Sequence, residues 1–91
     1  MAHIKASKDR LISRVRRIGG QVAAVERALG EEAGCSTILQ QVAAVRGAVN
    51  GLLDEIIAEH LDEHVAKPGL EDSDRAAAAR ELIAVIRRYS K

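Results

Sequence analysis

Apolar residues recur along this chain at helical spacing. Leu11, Val15, Ile18, Val22, Val25 and Leu29 follow one another at steps of four and three residues, which places them on one side of a helix. The spacing predicts a helix over 7–29, with Ser7 as its N-cap and Gly30 as its stop. Gly19 and Gly20 interrupt it at a cost of about 1 kcal/mol each relative to Ala, and so mark a close helix approach or a weak point. A second stripe, Ile38, Val42, Val45, Val49, Leu52 and Ile56, predicts a longer helix over 36–65 that Ser36 or Thr37 can cap. Leu39, Leu53, Ile57 and Leu61 widen its apolar face beyond what the first helix can cover, so a second chain is expected to cover the rest. After a Pro68-Gly69 turn, Ser73 can cap a third helix that carries Ala76, Ala79, Leu82, Ile83 and Ile86 toward Tyr89.

Composition agrees with an all-α fold. Hydrophobic residues make up 47% of the 91 positions, yet they include one Tyr and no Phe or Trp. Ala, Leu, Val and Ile suit helical packing, whereas a β-sandwich core would draw on more aromatics and Thr. The length corresponds to a single domain over 1–91, too small to bury much of its surface alone, which again points to self-association. One cysteine excludes an intrachain disulfide and a disulfide-stapled secreted fold. With no signal peptide pattern and no long apolar run, the expected location is the cytoplasm.

Net charge is only +1, but its distribution is uneven. Met1 to Arg27 holds seven Lys or Arg against Asp9 and Glu26, while the rest of the chain is acidic. Such asymmetry points to an anionic polymer or surface. At 100° per residue, Arg10, Arg14, Arg17 and Gln21 occupy a band of about 60° beside the apolar stripe of the first helix. That band is either a solvated face or a row of phosphate contacts. A helix-turn-helix needs two short helices and a tight turn, and the second helix is far too long for one. DNA binding would therefore use a surface composed across subunits, rich in backbone contacts and salt dependent.

The third feature is a set of soft and borderline ligands. His60 and His64 share a helix face at the spacing where two imidazoles can hold one metal ion. His3 lies just ahead of the first helix, and an antiparallel hairpin of the first two helices would return it close to them. Cys35 precedes His60 by 25 residues of one helix, or about 37 Å. It can join them only from an antiparallel partner chain, which predicts an intersubunit site in a two-fold dimer. A thiolate with imidazoles suits Zn, Ni, Co or Cu rather than Mg or Ca. A solvated histidine pair and an inert helix-start cysteine are the plainer alternatives. The string His60-Leu61-Asp62-Glu63-His64 also fits an inverted zinc-peptidase pattern with Glu63 as base, but the chain has little room for a further ligand or a substrate cleft, so no enzyme is expected. Arg46 and Asn50 flank the apolar face of the long helix, where a polar network at a subunit contact is expected and a direct DNA contact by Arg46 is the alternative.

Arg14-Val15-Arg16-Arg17-Ile18 with Gly20-Gln21, then Cys35, Ile38-Leu39-Gln40-Gln41-Val42-Ala43-Ala44-Val45-Arg46-Gly47-Ala48, Asn50-Gly51-Leu52, His60 and His64 together resemble the CsoR/RcnR/FrmR family of bacterial repressors. The resemblance spans nearly the whole chain. It implies a three-helix protomer, antiparallel dimers assembling into a disc-shaped homotetramer, and binding of double-stranded operator DNA through basic residues of the first helix. Effector binding is expected to release the operator and switch on export or detoxification genes. The positions implied are His3, Cys35, His60 and His64 for a metal, with Arg14, Arg16 and Arg17 for DNA, to which the helical wheel adds Arg10.

Two effectors stay open. The set His3, Cys35, His60 and His64 resembles the nickel and cobalt sensors, with zinc as a further candidate, whereas copper sensors of the family carry a second cysteine where this chain has His64. The helix-one run and Gln40-Gln41 resemble instead the formaldehyde sensors, which link the amine of an N-terminal proline to the cysteine through a methylene bridge. This chain has Ala2 at that place, so the cross-link would join Cys35 to a primary amine freed at Ala2.

Overall fold

The computed structural model of the chain describes residues 7–89. Three α-helices and one π-helical turn make up its regular structure, with no strand among the described residues. Helix α1 spans Lys8–Gly30, α2 spans Cys35–Leu61 and runs into the π-turn Asp62–Ala66, and α3 spans Asp72–Tyr89. The chain divides into two compact units, one of residues 8–54 and one comprising Ser7 with residues 55–89, so that α2 contributes to both.

In the first unit α1 and α2 are joined by a four-residue connector, Glu31 to Gly34. The glycine predicted to stop α1 is instead its last helical residue. The left-handed position is Glu32, at φ 57°. Around it the Ala33 N–H donates to the Ala28 carbonyl at 2.9 Å and the Glu32 N–H to the Leu29 carbonyl at 3.2 Å, the two bonds of a Schellman motif that satisfy otherwise orphaned carbonyls. Helix α2 then starts at Cys35, one residue earlier than predicted, with Gly34 at the cap position and its carbonyl accepting from Ile38 at 3.2 Å. Arg14 and Gly51 lie equally far from the connector, and a Cβ placed on Gly51 would fall 2.9 Å from Nη2 of Arg14. The two helices therefore run antiparallel there.

Few side chains are buried within one chain. Leu11 and Ala28 in α1 and Ala78 in α3 are the buried hydrophobics of the described residues. Each helix of the hairpin keeps a seam uncovered at roughly heptad spacing: Val15, Val22 and Leu29 on α1, and Leu39, Val42, Val49 and Leu53 on α2, where Leu39 is 64% exposed. Covering such a side chain is worth about 1 kcal/mol or more.

The second unit is shaped by local backbone chemistry. Pro68 disfavours helical dihedrals for the residue before it, and Lys67 accordingly leaves the π-turn in an extended conformation, φ −60° and ψ 131°. Pro-Gly is the signature of a type II turn, whose third residue needs positive φ, and Gly69 has φ +87°. Arg75 Nη2 donates to the Lys67 carbonyl at 3.2 Å and so ties this turn to α3. Helix α3 begins at Asp72, which puts Ser73 inside its first turn; the Glu71 carbonyl accepts from the Arg75 N–H at 3.0 Å at the start of the helix. No helix among the described residues is long and apolar enough to cross a membrane.

Candidate functional site

His60 sits in the last turn of α2 and His64 in the π-turn that continues it. Both are half-buried, and their ring centroids lie 5.4 Å apart with the planes tilted by 54°. Nε2 of His60 is 2.7 Å from the carbonyl oxygen of Ala78, a buried residue of α3. A carbonyl only accepts, so Nε2 carries the hydrogen of this bond. In the neutral ring Nδ1 then keeps its lone pair. The geometry thus fixes one imidazole from behind, in the way outer partners orient metal-ligating histidines.

Between the two histidines in sequence, Glu63 pairs with Lys67, Oε2 to Nζ, at 3.7 Å. That pair is largely exposed and worth little, below about 0.5 kcal/mol.

The remaining predicted ligands are placed elsewhere or not described. Cys35 is the first residue of α2, an exposed free thiol, and 25 residues of that helix separate it from His60. His3 and Ala2 lie outside the described residues. Among the described residues no three of His, Cys, Asp and Glu come together to hold a metal ion. Among the described residues one chain thus brings two imidazoles together, with no third such ligand beside them. The donor set fits a borderline ion, since neutral imidazole nitrogen and thiolate sulfur are its preferred partners.

The basic residues lie along α1. Arg10, Arg16 and Arg17 are exposed, while Arg14 is half-buried with its guanidinium over Gly51 of α2. Of the band predicted from the helical wheel, Arg14 therefore borders α2, and Gln21 has a buried side-chain oxygen. Arg46 and Asn50 are exposed in the single chain.

Three features have no signal in the hydrophobic pattern. The π-turn needs a wider ring than i,i+4 periodicity can reveal. The Ala78 carbonyl is a backbone group, which residue identity does not report. Ser7 donates to Glu59 from both its N–H, at 3.3 Å, and its hydroxyl, a pairing across 52 residues.

Comparison with known proteins places these features in context. A family profile described as "Metal-sensitive transcriptional repressor" matches residues 7–88. The transcriptional repressor RcnR of Salmonella arizonae is 40% identical over 91 residues, covering all of both chains. Among solved structures, a glutamate-to-histidine variant of the formaldehyde-responsive regulator FrmR from Salmonella enterica serovar Typhimurium superposes with a TM-score of 0.87 at 44% identity, covering 97% of this chain and 99% of that one. The copper-sensing repressor CsoR with Cu(I) from Geobacillus thermodenitrificans gives a TM-score of 0.85 at 26% identity, covering 100% of this chain and 94% of that one.

Proposed function

The chain belongs to the family of metal-sensitive transcriptional repressors, and on that premise we propose that it binds a double-stranded operator and releases it when a transition metal occupies a Cys/His site shared between subunits. Members of the family are repressors, not enzymes, which removes the peptidase reading of His60, Glu63 and His64. The observation that carries the metal reading is the pair of imidazoles 5.4 Å apart, with His60 held through Nε2 by the Ala78 carbonyl. His60 and His64 from one chain, His3 from its N-terminal segment and Cys35 from a partner would hold the ion, nickel or cobalt first and zinc as the further candidate. The metal supplies a Lewis-acidic centre that draws these donors together. The chain's own part is to present the imidazoles, to keep Nδ1 of His60 available, and to expose Cys35 at the start of α2.

Assembly follows from what one chain leaves uncovered. The seams on α1 and α2, together with the unpartnered buried oxygens of Gln21 and Gln41, suit burial against further copies in a disc-shaped dimer of dimers. The whole chain would act as one sensing and DNA-binding domain in the cytoplasm, with Arg10, Arg14, Arg16 and Arg17 on the phosphates and export or detoxification genes under its control.

Similarity to a formaldehyde-responsive regulator supports a second reading, in which Cys35 and an N-terminal amine at Ala2 are cross-linked by a methylene bridge. An operator-binding assay with nickel, cobalt, zinc and formaldehyde added in turn separates the two. Release at stoichiometric metal, with unchanged protein mass, is expected. Release by formaldehyde alone, with a mass gain of one carbon atom per cross-link that disappears in Cys35→Ala, would replace the metal by the aldehyde.

A further inference from the structure

The π-turn that carries His64 ends against a proline. In a continuing α-helix the N–H of residue 68 would close on the His64 carbonyl, but Pro68 has none, and Lys67 leaves in an extended conformation. The helical ladder therefore stops here, and α3 packs against the turn. Arg75 Nη2 donates to the Lys67 carbonyl at 3.2 Å, three residues beyond His64, and Nη1 lies 3.4 Å from Oδ1 of Asp72. A guanidinium presents its donors in a rigid fork, so these two partners fix its plane as well as its position. Its Nε is buried without a hydrogen-bond partner, a cost that the other contacts of the side chain must offset. Arg75 and Ala78 stand three apart and share a face of α3. One stretch of α3 thus holds both histidines: the Ala78 carbonyl accepts from Nε2 of His60 at 2.7 Å, and Arg75 secures the turn of His64.

We propose that Arg75 is a positioning residue for His64: its bond to the Lys67 carbonyl pins the end of the π-turn to α3 and so sets where the second imidazole stands relative to the first. The separation of 5.4 Å between the ring centroids is thereby set within the chain, before an ion arrives. The consequence for affinity rests on the metal reading given above, and Arg75 acts through His64 rather than on the ion. Without the bond the turn and its imidazole sample more arrangements, which an ion must then order on binding.

Two measurements on the purified full-length protein test this. In the metal-free state, NMR follows amide exchange across residues 62–66 and the cross-peaks between the rings of His60 and His64. Arg75→Ala should speed exchange in the turn several-fold and weaken the ring-to-ring cross-peaks. Ala77→Gly is the comparison, because Ala77 is exposed and the change destabilises the same helix without removing the Arg75 bond. It should leave the cross-peaks as they are. The second measurement is a Co(II) titration followed by d–d absorption. Arg75→Ala should weaken binding about tenfold, in the range seen for partners that support a ligand from outside, and the loss should vanish in a His64→Ala background. Arg75→Lys keeps the charge and a donor but not the fork, and should fall between; it carries the test if the alanine variant folds poorly.

Turn exchange and ring cross-peaks in Arg75→Ala equal to wild type, or altered no more than in Ala77→Gly, would overturn the positioning role. So would a cobalt loss just as large in the His64→Ala background. If His60→Ala and His64→Ala leave cobalt affinity at the wild-type value, the metal reading falls instead, and the metal-free measurement still decides the role of Arg75.

Discussion

The two compact units are held together by different means. In residues 8–54 the hairpin carries periodic apolar faces, and their outer seams stay open from Val15 to Leu29 and from Leu39 to Leu53. In the unit of Ser7 with residues 55–89, individual polar contacts set the structure: Ser7 on Glu59, His60 on the Ala78 carbonyl, Arg75 on the Lys67 carbonyl. Charge divides in the same place, with seven Lys or Arg against five Asp or Glu in 8–54 and six against eight in 55–91. A surface for DNA and for other copies needs area and repetition, which periodic faces supply. A selective ligand site needs single atoms held in place, which hydrogen bonds supply. Substitutions should therefore act through faces in the first unit and through particular atoms in the second.

Cys35 is the sharpest exception, a proposed ligand located in the unit of faces. Its removal should have the largest effect. Cys35→Ala should lower metal affinity at least a hundredfold, roughly the upper limit for losing a mere outer-shell partner, and abolish effector-driven operator release. Whether the site is shared can be read by mixing. In a heterodimer of Cys35→Ala with His60→Ala chains, one of the two sites recovers a complete ligand set if ligands come from both subunits. Refolding equal amounts together should then restore about a quarter of the wild-type metal sites, the share set by two-fold symmetry. No restoration would mean that each chain builds its own site.

The basic edge of α1 belongs wholly to the unit of faces, so its contributions should add. Arg17→Ala and Arg14→Ala together should weaken operator binding by one to two orders of magnitude at moderate salt, and the slope of log affinity against log salt should fall by about 0.9 for each phosphate that is no longer neutralised. Arg14 offers an internal check, because its guanidinium already lies over Gly51. If Arg14→Ala lowers the melting temperature while leaving the salt slope unchanged, that arginine serves the hairpin and not the DNA.

The same division explains what the sequence could disclose. The stripes through Leu11 to Leu29 and Ile38 to Ile56 foretold both long helices to within about a residue where each begins, because a face built from many apolar side chains survives any single exception. The surplus apolar face on α2 was legible for the same reason, and appears as the exposed Leu39, Val42, Val49 and Leu53. Pro68-Gly69 located the turn, since proline and glycine act on their own dihedrals. By contrast the α2 helix predicted to reach residue 65 gives way to the π-turn after Leu61, and nothing in the pattern marks that point. The partners of His60 and Ser7 were equally hidden, one being a backbone oxygen and the other lying 52 residues away. His60 and His64 themselves were legible as a pair because i,i+4 spacing places them together on a helix.

The turn at Gly69 tests the second unit by its backbone alone. Its φ of +87° is strained for any residue with a Cβ, and no heavy atom lies within 4 Å of where that Cβ would stand. Gly69→Ala should cost about 1–2 kcal/mol, through conformation rather than crowding. Because Arg75 ties this turn to α3, which also carries the Ala78 carbonyl, the loss should be accompanied by weaker protection of His60 from exchange. Destabilisation with an unchanged His60 signal would show that the contacts of this unit are independent of one another.

The smallest effect is expected at the counterpart in the first unit, and with the opposite sign. Glu32 holds the left-handed position of the Schellman motif at φ 57°, a conformation that disfavours most side chains, and it is exposed. Glycine adopts it freely but loses more entropy on folding, so the two terms partly offset. Glu32→Gly should stabilise the protein by about 0.5–1 kcal/mol, measured as a raised midpoint in urea with the slope unchanged. Since the connector only joins two faces, operator affinity and metal response should stay as they were. A change in metal affinity would instead mean that the connector helps to set the position of Cys35, three residues on, and that the first unit also depends on single atoms.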